Sequence, residues 1–268
     1  MAVAQQSGWL GVGALPRRAA NAITADASGL GVSRTAALFW AIAPIVLAGG
    51  VGLAAFVRPI YRWLILEDGP IEWLQVGLLA VLAVLGVLIG ARLLMDRRVG
   101  FGLVYLAGAV AAAFILGEEI SWGQRIFGWA TPEELEELNR QGETNIHNIG
   151  TVLLAFNLVM MVSALLAAVV PMVWYRMATV RRRSATESLF IPPLFLVPGF
   201  ALAFAYRFLR FVVAPEPGFT ISRYQEVTEL IFYLGMTVFV YLVWRQLRVG
   251  ATSDQAGARA SAPAPLGR

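Results

Sequence analysis

The chain of 268 residues contains no cysteine and no lysine, and its only histidine is His147. The lack of cysteine excludes disulfides, thiolate metal sites and cysteine nucleophiles. The lack of lysine excludes a Schiff base on a lysine side chain and a Walker-type phosphate lysine. All 21 basic residues are therefore Arg. Charged chemistry in this protein rests on carboxylates, guanidinium groups and one imidazole.

Charged residues are scarce as well. They make up 14% of the chain, whereas soluble domains contain about a quarter. Hydrophobic residues make up 58%, and the mean hydropathy is +0.68, which predicts a membrane protein. The sequence pI near 9.8 would suit nucleic acid, but the arginines follow a membrane topology and form no single basic surface. We expect membrane lipids as partners and no nucleic acid; the sequence indicates no particular protein partner.

Six apolar runs are long enough to cross a bilayer, which takes about 20 helical residues. They predict an all-α fold, a polytopic membrane helix bundle with six transmembrane helices. The prolines at 192, 193 and 198 predict a kink in the fifth of them. The predicted spans are 35–57, 71–94, 101–122, 149–175, 190–212 and 227–244.

The arginines predict the orientation, because short cytoplasmic loops are enriched in them. They concentrate before the first span, after the second, after the fourth and after the sixth. Both termini are then cytoplasmic, and the protein is expected in the cytoplasmic (inner) membrane of a bacterium. Residues 1–34 are predicted to be a flexible cytoplasmic arm and residues 250–268 a disordered cytoplasmic tail. The six-helix domain covers 35–249, with an extracytoplasmic loop and a short helix at 123–148.

Most polar residues of the six-helix domain are predicted to meet at its extracytoplasmic face. The opposite half offers little beyond Asn157 and Ser163, which argues against a transporter. Within the loop, Thr131 is expected to cap the short helix, whose acids form a solvated face. The residues expected at this face are Glu72, Glu118, Glu119, Glu143, His147, Arg207, Arg210, Arg223, Glu226 and Glu229.

The loop and its flanks provide the candidate catalytic and metal-binding groups. We expect Thr144 or Asn145 to cap the fourth span, which leaves His147 in the first helical turn, where the helix dipole favours a neutral imidazole. A neutral imidazole and two or three carboxylates can bind a divalent metal ion that activates water. The predicted catalytic residues are Glu118, Glu119, His147 and Arg125. The predicted metal ligands are Glu118, Glu119, His147, Glu72 and Glu229.

Arginines beside such a site can bind a phosphate or carboxylate through two parallel hydrogen bonds. The predicted substrate-binding residues are Arg207, Arg210, Arg223, Asn148 and Trp122. The substrate expected from these groups is an anionic lipid or a lipid-linked molecule.

Two interpretations of these residues stay open. The first is a hydrolase or transferase, which predicts a bound metal ion or a lipid-shaped cavity between the third, fourth and sixth spans. The second is a non-enzymatic membrane scaffold or assembly partner, in which acids and arginines pair for structure alone, for example Glu118 with Arg207. In that interpretation Glu72 caps the second span and His147 bonds to a neighbouring carboxylate.

The runs GEEISWGQR and ETNIHN, together with EDGPIEW, resemble sequences of an uncharacterised family of bacterial multi-pass membrane proteins. This resemblance covers mainly 118–148 and implies no known activity. The intramembrane CAAX-processing proteases also carry paired glutamates, followed by an arginine after three residues and by two histidine motifs. Here five residues separate Glu119 from Arg125, and His147 is the only histidine, so the chain departs from that pattern.

Overall fold

The computed structural model describes residues 14–139, 142–146, 149–178, 183–214 and 218–260. All regular structure in this part of the chain is helical, as the sequence predicts. Short 3₁₀ turns cover Ser121–Gly123 and Leu194–Leu196, and a π-helical turn covers Leu209–Val213. The α-helices are α1 (Ala14–Gly29), α2 (Arg34–Ala54), α3 (Arg58–Ile65), α4 (Pro70–Met95), α5 (Val99–Glu119), α6 (Gln124–Phe127), α7 (Glu133–Leu138), α8 (Gly150–Met177), α9 (Glu187–Phe190), α10 (Val197–Phe208), α11 (Phe219–Arg223) and α12 (Gln225–Ala260).

Six helical segments of the described chain are long and apolar enough to cross a membrane, which confirms the predicted number of spans. Each one overlaps its predicted range, and we call them the first to the sixth span. The structure therefore has the features of a multi-pass membrane protein. The spans are Arg34–Ala54, Arg58–Met95, Val99–Glu119, Gly150–Met177, Glu187–Val213 and Phe219–Val249.

The bundle has two chemically different ends. At one end Tyr61 Oη donates to Thr220 O at 2.6 Å, joining the start of the second span to the start of the sixth. We call this the acidic end, because Glu72, Glu118 and Glu229 lie there. At the other, basic end, Tyr105 Oη donates to Leu189 O at 2.6 Å. Which end faces the cytoplasm stays a prediction.

The fifth and sixth spans form the centre of the bundle. We compared the buried share of the most apolar 18-residue stretch in each span. This share is 50% in the fifth span and 61% in the sixth, against 22–28% in the other four. Phe195 and Phe200 of the fifth span are fully buried, and Tyr233 of the sixth is 2% exposed. Polar groups on these two spans are therefore shielded from the bilayer by the surrounding helices.

The fifth span is broken near the basic end, as its prolines predict. α9 ends at Phe190, and α10 starts at Val197 after Pro192, Pro193 and a 3₁₀ turn. A break within a membrane frees backbone groups that need partners inside the protein. Arg183 provides them, since it donates to Ile191 O and, at 3.0 Å, to Pro192 O.

Asp26 of α1 holds Arg183 in this position. Its carboxylate accepts from Arg183 Nε at 2.9 Å and from Arg183 Nη2 at 3.0 Å, and it accepts from the Leu194 amide at 2.8 Å. The side chains of Asp26 and Arg183 are 1% and 3% exposed. This contact explains why Ala14–Gly29 is an ordered helix, whereas the sequence predicted a flexible arm.

The other end of the chain also differs from its prediction. The helix of the sixth span continues to Ala260, although the sequence predicted a disordered tail from 250 onward. Continuing a helix costs much less than starting one. Residues 261–268 of the predicted tail lie outside the described residues.

We expect Arg183→Ala to destabilise the protein by about 3–5 kcal/mol, because it leaves Asp26 buried without its counter-ion. The matched control is Arg92→Ala. It breaks an ion pair with Asp96 at the same end, in which both side chains are more than a third exposed, and should cost less than about 1 kcal/mol. Unfolding by SDS titration in mild detergent measures both, and equal effects would contradict the structural role of Asp26 and Arg183.

Candidate functional site

The two sequence runs GEEISWGQ and ETNI are hydrogen-bonded to each other across the loop at the acidic end. Glu118 Oε2 accepts from the Ile146 amide at 2.7 Å. Gln124 Oε1 accepts from the Thr144 amide at 2.7 Å. Asn145 Nδ2 donates to Ser121 Oγ at 3.1 Å. The loop is therefore folded back onto the end of the third span.

Buried polar groups complete this connection. Ser121 Oγ donates to Glu143 Oε2 at 2.8 Å, and Asn145 Nδ2 donates to the same oxygen at 2.8 Å. Asn139 Nδ2 donates to the backbone and side-chain oxygens of Asn145, both at 2.7 Å. Ser121, Asn139 and Asn145 are all at most 5% exposed. The prediction that Thr144 or Asn145 caps the fourth span is wrong, since both bond to the loop and the helix begins at Gly150.

The chain turns in a left-handed conformation directly after the third span. Ser121, Trp122 and Gly123 have φ angles of 47°, 54° and 90°, and such angles are costly for residues other than glycine. The Trp122 ring folds over Gly117, where an added β-carbon would lie 3.0 Å from the ring. Trp122 Nε1 also donates to Glu118 Oε1 at 2.6 Å. The GEEISWG run therefore builds this turn.

The short helix of the loop begins one residue later than predicted, so Thr131 does not cap it. α7 begins at Glu133 after Pro132, without a side-chain cap. Thr131 instead donates to Gly142 O at 2.7 Å and accepts from Gln124 Nε2 at 2.7 Å. The loop acids whose side chains are described, Glu133, Glu136 and Glu137, are exposed, as the prediction of a solvated face requires.

A second group of polar side chains lies inside the acidic end, between the second, fifth and sixth spans. We call it the ion-pair cluster; it consists of Gln75, Arg207, Gln225, Glu226, Thr228, Glu229 and Tyr233. Arg207 Nη2 donates to Glu229 Oε1 at 2.9 Å, and Gln225 Nε2 donates to the same oxygen at 2.8 Å. Gln75 Nε2 donates to the backbone oxygen of Glu226 at 2.8 Å and to its Oε2 at 3.3 Å.

The ion-pair cluster is deeply buried. Arg207 and Gln75 are fully buried, Tyr233 is 2% exposed and Glu229 is 4% exposed. Three of its polar atoms have no hydrogen-bond partner in the described part of the chain, namely Gln75 Oε1, Arg207 Nε and Tyr233 Oη. Buried polar atoms are nearly always satisfied, so a group of three in one place requires an explanation.

Glu72 and Glu119 face a common crevice of about 10 Å³, together with Asp68. Glu72 Oε2 also accepts from the Asp68 amide at 2.6 Å, so it bonds to the chain just before the start of α4. Glu119 is half-buried beside it. A volume of this size holds about one water molecule.

The other predicted site residues fall into two groups. Arg210 stacks on the Phe211 ring with 5.0 Å between the guanidinium carbon and the ring centre. Arg223 Nη2 reaches Glu67 Oε1 at 3.5 Å in an exposed pair. His147, Asn148 and the side chain of Arg125 lie outside what the structure describes, so their predicted roles stay predictions.

The predicted metal ligands do not form one set among the described residues. Within this part of the chain, no three acidic or histidine side chains come together in a way that could bind a metal ion. Glu118 bonds to the loop, Glu229 to Arg207, and Glu72 to its own helix start. The example pairing of Glu118 with Arg207 is replaced by the pair of Arg207 with Glu229. The divalent metal ion stays a prediction.

An apolar cavity of about 310 Å³ lies below the ion-pair cluster and is lined by residues of the second to the sixth spans. It overlaps the region between the third, fourth and sixth spans where the enzyme interpretation predicts a cavity, and that interpretation stays a prediction. Tyr233 belongs to both the cavity and the ion-pair cluster. The sequence analysis missed Gln75 and Tyr233 as site residues. Gln75 could have been found, because an amide one turn after Glu72 in an apolar span indicates a polar contact. Tyr233 could not, because a single tyrosine in an apolar span indicates nothing by itself.

We expect Glu118→Ala to release the loop while the spans stay folded, because it removes the acceptor of two hydrogen bonds. Limited proteolysis should cut residues 128–142 at least about tenfold faster, since each bond to a charged group contributes about 1.5–3 kcal/mol. Glu137→Ala, an exposed acid of the same loop, is the matched control and should change nothing. Equal cleavage of both variants would contradict the anchoring role of Glu118.

The chain was compared with protein-family models, with curated proteins and with solved structures, and nothing matches in any of the three. Its function is inferred from its own residues and their geometry.

Proposed function

We propose that this chain is a multi-pass protein of the bacterial cytoplasmic membrane whose acidic end faces outward and binds the head group of an anionic lipid or lipid-linked substrate. The observation that carries this proposal is the set of three buried polar atoms of the ion-pair cluster that lack a partner in the described structure. Two of them, Arg207 Nε and Tyr233 Oη, are hydrogen-bond donors.

Donors in this position suit an anionic oxygen. Leaving a buried donor unsatisfied costs about 1–3 kcal/mol, so a ligand oxygen that accepts from either donor would bind favourably. Arg207 Nη2 donates to Glu229, and its Nη1 donates to Thr228 Oγ1 at 3.4 Å, so its Nε–H is the donor that we propose for a second anion. Phosphate and carboxylate are the anionic groups that membrane lipids offer at this depth.

The two carboxylates of the cluster support acid/base chemistry. Glu229 is paired with Arg207 and accepts from Gln225, so it is the fixed partner of that guanidinium group. Glu226, one turn away, accepts from the neutral amide of Gln75. Two carboxylates in different surroundings can divide the roles of fixed charge and proton carrier. We therefore propose hydrolysis or group transfer, with Glu226 as the general acid or base acting beside the bound head group.

The second candidate function is a non-enzymatic membrane scaffold. One observation favours it: Glu118 and Glu143 are used to fasten the loop to the third span, so these acids have a structural role. In this case the bound lipid stabilises the fold, and the loop at the acidic end contacts another protein.

We expect Tyr233→Phe to lower the preference for anionic lipid about tenfold, because a hydrogen bond to a charged group contributes at least about 1.4 kcal/mol. The measurement is the ratio of phosphatidylglycerol to phosphatidylethanolamine that stays bound after purification from equimolar vesicles. Arg207→Lys, which keeps the charge beside Glu229 but loses the Nε–H donor, should act in the same direction.

The matched control for the lipid-preference experiment is Asn157→Leu. Its Oδ1 is also buried without a partner in the described structure, but the residue belongs neither to the ion-pair cluster nor to the cavity. It should leave the lipid ratio unchanged. A lipid ratio that no variant changes would contradict the proposed head-group site.

We expect Glu226→Gln to abolish conversion of the lipid while binding persists, because losing a general acid or base lowers a rate by about 10²–10⁴. Wild type and variant are incubated in vesicles of phosphatidylglycerol and bacterial lipid extract, and released head groups are measured by mass spectrometry. Glu136→Gln, an exposed loop acid, is the control. Binding without any conversion by the wild type would favour the scaffold.

A further inference from the structure

The apolar cavity is lined along several turns of the third span, and we call it the slot. Its lining runs along the third span from Ile115 to Val104, a distance of about 16 Å at the helical rise of 1.5 Å per residue. A lining of this length and a volume of about 310 Å³ suit part of one hydrocarbon chain. Binding sites for small ligands begin at about this volume.

The slot is open on the side that faces a bilayer. The third span packs mainly along the second, and the fourth mainly along the fifth, although the third and fourth are consecutive in the chain. The cavity occupies the space left between them. Val104 is 55% exposed, and Gly108 and Ala111, which also line the cavity, are exposed on the same side of the third span. A lipid chain can enter here from the surrounding hydrocarbon.

The two ends of the slot differ. Toward the basic end it is closed by aromatic packing, since the rings of Phe101 and Tyr105 lie 5.2 and 6.3 Å from that of Phe190. Toward the acidic end it meets Tyr233, whose hydroxyl is buried without a partner among the described residues. Glu229 lies one turn before Tyr233 on the sixth span and is paired with Arg207 of the fifth. A polar group therefore belongs at this end.

We propose that the cavity binds one acyl chain of an anionic membrane glycerophospholipid, which enters between the third and fourth spans with its head group at Tyr233 and Arg207. The chain then lies parallel to those of the leaflet around the acidic end. The position of the head group rests on the proposed function above, whereas the position of the chain rests on the cavity alone. The ligand is a two-chain lipid. One of its acyl chains lies in the cavity, and the other stays in the bilayer.

The third span offers a variant that fills the slot without disturbing the fold. A β-carbon added at Gly108 meets nothing within 4 Å, so Gly108→Leu should fold and place its side chain in the mouth of the cavity. Gly49→Leu is the matched control. A β-carbon at Gly49 is equally free, and the first span contributes no lining residue.

The experiment uses the full chain in phosphatidylethanolamine vesicles that contain phosphatidylglycerol with a diazirine in one acyl chain. After illumination, cross-linked peptides are mapped by mass spectrometry. In the wild type, adducts should concentrate on 104–115 and 232–240. Gly108→Leu should lower them about tenfold, because overfilling a packed site costs about 1–3 kcal/mol, and Gly49→Leu should match the wild type.

A second probe separates this inference from the proposed function. The same diazirine chain is placed on phosphatidylethanolamine, in vesicles without phosphatidylglycerol. Equal labelling of the cavity by both probes, lost in Gly108→Leu, would support the chain site and overturn the anionic head-group site. Labelling spread evenly over all six spans, or labelling that Gly108→Leu leaves unchanged, would overturn the chain site whatever the head group.

Discussion

The ion pair between Arg207 and Glu229 is the contact on which the centre of this bundle depends. It joins the fifth and sixth spans, the two most buried segments, at a place where neither charge reaches solvent. A charge within a bilayer is costly unless it is paired inside the protein. The pair therefore determines how the two central helices face each other near the acidic end, and the other four spans surround them.

The ion pair is formed, but three polar atoms of the cluster around it have no hydrogen-bond partner in the described structure. Our functional proposal rests on these atoms. Arg207 Nε, Gln75 Oε1 and Tyr233 Oη lack partners in the described structure, although full satisfaction would stabilise the fold more. Each buried polar atom without a partner requires an explanation, and we propose that a lipid head group provides it. In our proposal the apolar slot beneath them holds the chain of the ligand whose head group these atoms bind.

The loop at the acidic end has a different role. Glu118, Ser121 and Gln124 bind the backbone and side chains of 143–146, and a left-handed turn at Trp122 makes this possible. The runs GEEISWGQ and ETNI therefore fold the loop back onto one end of the third span. The acids that we propose for chemistry come instead from the sixth span, where Glu226 and Glu229 lie one turn apart.

The sequence by itself determined the six helical spans, the chemical difference between the two ends and the break in the fifth span. These features follow from local properties, namely the length of apolar runs and the missing N–H of proline, which each segment carries regardless of its neighbours. The tertiary structure alone decided which polar groups meet. Glu118 reached the Ile146 amide, Arg207 reached Glu229, and Tyr233 reached the cavity, because a hydrogen bond depends on distances between helices that are far apart in the chain.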